Sequence, residues 1–269
     1  MRLRRQRKIR KLLRRAGIAS HFLADAVTAK ERAGVPLNEA LRAIMLDPAG
    51  SHFDRGQAAR LLADAGEDPL PPLLALFFSQ SGQVTLYTTA LTLEMLDDRR
   101  AVGPLIEALL EDGNPDRRHA AARALGWISR PGRRAARALA RCLADVTQPE
   151  PAREEAAESL AYAGTRETIP ALISALGDRE VRVRFWAVFA LGSSCRGDAE
   201  AIRALEAMLP DEEMPPGNWW SVGKEALGML GLRQPSASQY ESRVAAEAAR
   251  IKEDPAASEA DRRWAECYG

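Results

Sequence analysis

The hydrophobic positions of this chain recur with a fixed step. Between residues 168 and 193, Pro170, Leu172, Ile173 and Leu176 are spaced as one short amphipathic helix. Arg184, Ala187, Val188 and Leu191 then fall at i, i+3, i+4 and i+7 of a second helix, which places them on one face. Gly177 and Asp178 stand between the two segments. Glycine takes a left-handed conformation just past a helix end without steric cost, and aspartate accepts a backbone N–H at a helix start. The pattern therefore predicts a first helix ended by Gly177, a cap at Asp178 and a second helix closed by Gly192.

The same unit repeats along the chain. Equal steps from Asp178 reach Asp145 and Asp112 on one side and Asp211 on the other; Ser79 and, after a step one position shorter, Asp47 continue the series. Two residues before these positions stand Met45, Phe77, Leu110, Leu143, Leu176 and Leu209, and six before stand Leu41, Leu73, Ile106, Leu139, Leu172 and Leu205. Pro71, Pro104 and Pro170 recur eight before, where a first-turn proline loses no helical hydrogen bond. The second segments end in an Ala-Leu-Gly-like signature, as in Ala124-Leu125-Gly126 and Ala190-Leu191-Gly192. Eight residues before its last position stand Arg55, Val84, Arg118, Arg153, Arg184 and Trp220. A long, fixed period of this kind marks a stack of repeated supersecondary units. The small residues Ala58, Ala121, Ala156 and Ala187 let neighbouring helices approach.

This motif, Pro-x-Leu in one helix, then Asp, then Arg-x-x-Ala-Ala-x-Ala-Leu-Gly, resembles HEAT repeats, specifically the short bacterial kind also found in phycobilisome-lyase-like proteins. The resemblance covers roughly residues 37–232 as six helix pairs, at 37–65, 69–97, 101–130, 134–164, 168–193 and 198–232. Pairs two and six depart from it at Ser79, Val84 and Trp220. It implies an all-α solenoid whose second helices line the concave side. Solenoids need atypical ends to cover their terminal faces, so residues 18–36 are read as an N-terminal capping helix and residues 233–269 as C-terminal capping helices. Residues 1–17 form a basic arm ahead of them. Ser236 and Gln239 have the spacing of a capping box, and Trp264 lies near the end of the chain.

Charge is unevenly distributed. The 269 residues carry 38 Lys and Arg against 37 Asp and Glu. Nine of the cations, and no acid, lie in residues 1–15, leaving a net charge of −8 on the rest. The arm residues Arg4, Arg5, Arg7, Lys8, Lys11, Arg14 and Arg15 are candidates for nucleic-acid phosphates or anionic lipid; a solvated arm carries the same pattern. Aromatics make up 6% of the chain, which suits thin helical layers better than a large sheet core. Cys142, Cys195 and Cys267 lack metal-ligand spacing and are odd in number, so neither zinc nor a disulfide framework is expected, and the default compartment is a reducing cytoplasm. No apolar run is long enough to span a bilayer, and the apolar stretch after Arg15 is broken by His21 and Asp25, unlike a secretory signal.

Little points to catalysis. His21, His52 and His119 are the only histidines, and no nucleophile–base pair, HExxH or phosphate loop accompanies them. No catalytic residue, metal or cofactor is assigned. The recurring Arg and Asp positions are read as structural pairs that also satisfy helix-end backbone groups. The expected function is a non-enzymatic interaction scaffold or adaptor with a protein or peptide partner. One alternative resembles the HEAT-like DNA glycosylases, using the arm with Arg118, Arg123 and Arg184. The other, a bilin lyase or isomerase, comes from the family resemblance alone.

Comparison between repeats supplies a candidate site. The position after the ladder arginine reads Gly56, Thr85, His119, Glu154, Phe185 and Ser221; four residues later stand Arg60, Thr89, Arg123, Glu158, Phe189 and Glu225. Only the fifth repeat places large hydrophobes there, so both positions are expected to face solvent on the concave side. Phe185, Trp186 and Phe189, flanked by Arg123 and Trp220, are then the candidate partner-binding residues. Coverage by the C-terminal segment, through Tyr240 or Trp264, is the competing expectation.

Overall fold

The computed structural model of the protein describes residues 33–128, 132–194, 197–218 and 220–231, together with Leu23, Val27, Ala29, Lys30, Lys252 and Glu253. All regular structure among these residues is helical. The chain divides into two compact units, residues 1–131 and 132–269. The first unit holds α1 (Leu37–Leu46), α2 (His52–Asp64), α3 (Leu70–Ser79), α4 (Gln83–Leu96), α5 (Val102–Glu111) and α6 (Pro115–Trp127). The second holds α7 (Gly132–Ala144), α8 (Glu150–Ala163), α9 (Ile169–Ala175), α10 (Val181–Ser194), α11 (Ala199–Ala207) and α12 (Val222–Gly231). Each unit is therefore three helix pairs of an all-α solenoid, with odd-numbered first helices and even-numbered second helices.

Leu23 and Val27 are helical and buried. A helical end follows them, where the Val35 N–H donates to the Lys30 carbonyl around Gly34 at φ +82°, a glycine-dependent closure of the Schellman type. The basic arm and nearly all of residues 233–269 lie outside the described residues.

Within each unit the second helices pack against one another more extensively than the first helices do. Their side chains explain this. Ala58, Ala121, Ala156 and Ala187 are fully buried. A Cβ on Gly56 would come within 2.5 Å of Met95 Sδ on α4, and one on Gly192 within 2.2 Å of Met229 Sδ on α12. Gly192 thus lies inside α10, which continues to Ser194; it is needed for close helix approach and not, as expected, for termination. Gly177 also departs from expectation. It has no positive φ, and the chain leaves α9 through three successive i→i+3 bonds, from Leu176, Gly177 and Asp178 N–H to Ile173, Ser174 and Ala175 carbonyls, a 3₁₀ tightening that satisfies the last carbonyls without a left-handed residue.

The recurring aspartates close the turns between paired helices. One carboxylate oxygen of Asp47, Asp112, Asp145, Asp178 and Asp211 accepts the N–H two residues on, at 2.8–3.0 Å. These are Asx turns rather than direct helix caps. The ladder arginines span the stack. Arg153 donates to the Gln148 carbonyl of its own pair and to the Asp178 carboxylate of the next. Arg184 donates to the Asp178 carbonyl at 2.8 Å and, in the next pair, to Asp211 at 2.9 Å and to Glu213. Arg118 donates to the Asp112 carbonyl, while the carboxylate of Asp112 takes Arg117 at 2.8 Å. Burial alone would raise the Asp112 pKa, but the Arg117 hydrogen bond, the Asn114 N–H and the nearby arginine charges outweigh it and hold the group low.

Arg153 and Asp178 are both almost fully buried. Removing one member of such a pair leaves the other charge uncompensated, at a cost of about 3–5 kcal/mol. Arg153→Ala should lower stability by that amount in denaturant titration, whereas Arg100→Ala, at the exposed pairs with Asp68 and Asp98, should leave it nearly unchanged.

Candidate interaction surface

In the second unit α10 packs between α8 and α12 and carries the predicted aromatic cluster. The Phe185 and Trp186 rings meet edge-to-face with centroids 5.6 Å apart, and Trp186 meets Phe189 in the same geometry at 5.6 Å. Such pairs add about 0.5–1.5 kcal/mol beyond area burial. The Trp186 indole N–H donates to Glu154 Oε1 at 3.3 Å, and Arg182 reaches the same oxygen at 3.1 Å. Trp220, in the loop before α12, donates its indole N–H to Glu225 Oε2 at 2.6 Å.

The expected exposure of Phe185 is corrected: it is 6% exposed and part of the core. Trp186, Phe189 and Trp220 are half-buried. The row read as solvent-facing is a packing row in four of the six pairs, where Gly56, Thr89, Phe185, Ser221 and Glu225 are buried. The cause is the tight second-helix layer, in which this row meets the neighbouring second helix. In the third and fourth pairs His119, Arg123, Glu154 and Glu158 remain half-exposed.

Arg123 belongs to the first unit. Its guanidinium carbon lies 4.3 Å from the Trp127 ring centroid and 6.0 Å from that of Tyr87, and its Nε is 3.6 Å from Glu94 Oε2. The His119 ring is 5.5 Å from Tyr87, so this histidine sits against an aromatic ring and not simply on a polar surface. The proposed flanking residue and the phenylalanine cluster therefore stand in different units. Tyr87, Glu94 and Trp127 were not selected from sequence, although 119, 123 and 127 step by four along one helix face. Exposed Tyr162 was also missed; it continues the four-residue step of Glu150, Glu154 and Glu158 on α8.

The arginines considered for phosphate binding are engaged by the protein itself: Arg118 by Asp112, Arg123 by Glu94 and Trp127, Arg184 by Asp211 and Glu213. Arg4, Arg5, Arg7, Lys8, Lys11, Arg14 and Arg15 lie outside the described residues, as do Tyr240 and Trp264. Among the described residues no His, Cys, Asp and Glu side chains group as a metal site, and no helix is long and apolar enough to cross a membrane.

A family model described as HEAT repeats matches residues 70–150 and 146–216. The matches span more than half of the sequence, and the chain belongs to the HEAT-repeat family. Among solved structures it is similar to a designed armadillo repeat protein at 19% identity, covering 74% of this chain and 94% of that one, with a TM-score of 0.44. A second designed armadillo repeat protein, in complex with the peptide (KR)4, matches at 19% identity over 79% of this chain and 98% of that one, with a TM-score of 0.47. Human deoxyhypusine hydroxylase in complex with glycerol matches at 21% identity over 86% and 94%, with a TM-score of 0.34. No curated protein matches the chain.

Two measurements test this geometry. Phe185→Ala should cost about 3 kcal/mol or more in urea titration, the range of buried aromatic truncations, whereas Phe189→Ser, at a half-buried position that loses its ring pair with Trp186, should cost less, about 1–2 kcal/mol. Burial raises the Glu225 pKa and the Trp220 N–H only partly offsets this. The folded state then holds this proton to higher pH than the unfolded chain, so the carboxyl costs stability as pH rises from its unfolded to its folded value. Glu225→Gln keeps an acceptor for Trp220 and should raise the melting temperature at pH 8, with the gain disappearing below about pH 4.

Proposed function

We propose that this HEAT-repeat protein is a non-enzymatic interaction scaffold whose second-helix layer receives a partner protein or peptide. The half-exposed edge-to-face pair Trp186–Phe189 on α10 carries this reading, with Trp220 beside the next second helix. Arg123, held against aromatic rings in the first unit, is the corresponding anchor there. Rigid aromatics and arginine supply most of the energy at protein interfaces, and here their orientations are set by Glu154, Glu225 and Glu94. Phe185 supports the patch from beneath. On the same reading, residues 18–36 and 233–269 cap the repeat region 37–232, and residues 1–17 form a separate basic arm.

The test replaces Phe189 with a photo-crosslinking phenylalanine, with a matched label at Phe78 on first helix α3. Partner crosslinks should form at 189 and not at 78, and Phe189→Ser should weaken partner binding about 30-fold, the scale of a 2 kcal/mol hot spot. Crosslinks at 78 alone, or unchanged binding by Phe189→Ser, would refute the proposal.

A further inference from the structure

The solvent face of α7 differs from that of the other first helices. Its exposed positions are Gly132, Arg133, Arg134, Arg137, Arg141 and Ala144, so every exposed side chain larger than a methyl group is an arginine. The helix carries no acid, and its other face is buried through Ala135, Ala136, Ala138, Leu139, Cys142 and Leu143. By contrast, α5 exposes Glu107 and Glu111, and α11 exposes Glu200, Arg203 and Glu206. Arg133, Arg137 and Arg141 fall at i, i+4 and i+8, a step of about 6 Å along the axis, and Arg134 lies within the same face, about 100° wide in all.

A carboxylate of the chain already occupies one end of this ridge. Glu167 Oε2 accepts from Arg137 at 2.8 Å, and its Oε1 lies 3.5 Å from Arg133 Nη1. The Arg137 hydrogen bond and the charges of both arginines hold the Glu167 carboxyl below its ordinary range. Arg134 and Arg141 form no ion pair among the described residues. One carboxylate against four guanidiniums leaves the ridge with an excess of three positive charges.

We infer that the outer face of α7 docks an acidic helical segment of a partner protein, one bearing Asp or Glu at i, i+4 and i+8. Glu167 shows that a carboxylate fits between arginines one turn apart, and a facing helix repeats its carboxylates at the same one-turn step. Arginine forks bind carboxylates with two parallel hydrogen bonds. A long nucleic acid is the poorer occupant, because residues 16–269 carry a net charge of −8 and a polyanion extending past the ridge would run along an acidic body. This surface is on a first helix, apart from the second-helix surface proposed above, so either assignment can fail alone.

The test uses the full chain at low ionic strength with three fluorescent probes: an alanine-based 18-residue helix carrying Glu at i, i+4 and i+8, its Gln counterpart, and a short DNA duplex. The Glu peptide should bind more tightly than the Gln peptide. Arg134→Gln with Arg141→Gln should weaken the Glu peptide by about fivefold, the scale of two exposed charge pairs. Glu167→Gln, which frees Arg133 and Arg137, should strengthen it by about threefold. The basic arm is common to all variants, so these differences report on α7. No binding of the Glu peptide, equal binding of the Glu and Gln peptides, or an affinity that ignores both variants would overturn the inference. It would also be overturned if the duplex bound more tightly than the Glu peptide with the same dependence on Arg134 and Arg141.

Discussion

An aspartate at the turn between paired helices and an arginine on the second helix hold one pair to the next. The carboxylate acts on two sides: one oxygen closes the Asx turn of its own loop, and in Asp178 and Asp211 the other receives the arginine of the preceding pair. The arginine is also divided between a carbonyl of its own loop and the next pair's acid. The ladder therefore ties local turn geometry to the spacing of the stack. Both groups can be buried because the arginine charge meets a carboxylate and each oxygen of Asp178 and Asp211 accepts a hydrogen bond, the condition under which a buried ion pair is tolerated.

The irregular repeats show what the ladder requires. The second pair has Ser79 in place of the aspartate, and the preceding arginine, Arg55, finds no carboxylate there. It donates instead to the hydroxyls of Thr88 and Thr89 and keeps its bond to the Met45 carbonyl. Burial against these neutral partners lowers its pKa, with Asp47 only partly compensating. In the sixth pair Trp220 replaces the arginine and lies ahead of α12, which starts at Val222. There the backbone takes over: Val222 and Gly223 N–H groups donate to the carbonyls of Glu213 and Asp211. Both of these losses are met by nearby donors or acceptors, as the cost of an unmade buried hydrogen bond demands.

The two helix layers have different surface chemistry. Second helices meet through alanine and glycine, so large side chains in that layer are either covered by a neighbour, like Phe185, or tilted to an edge, like Trp186 and Phe189. Within each unit the first helices pack against one another less extensively and display whatever charge the sequence gives them. The arginine face of α7 is the clearest case, because its length and regular helical step turn four residues into a single ridge. The second-helix aromatics offer shape and apolar area, whereas the α7 ridge offers charge, and the two kinds of surface suit different contacts.

Much of this molecule is legible in the sequence. The repeat period, the paired hydrophobic faces and the recurring aspartates and arginines depend on local geometry and nearest-neighbour stacking, and both leave a fixed imprint along the chain. The helix pairs accordingly fall where the repeats predict them. Tertiary structure decides what each repeat position faces. Gly192 reads as a helix end because glycine often serves that purpose, but its reason is Met229 on the next second helix. Phe185 reads as exposed because its counterparts are small or polar, yet those counterparts include Gly56, which is pressed against Met95, and the row continues to Thr89, which is bound by Arg55. Periodicity orients a residue within its own helix. It does not report the size of the side chain arriving from the next repeat, and that contact determines which aromatics remain for a partner.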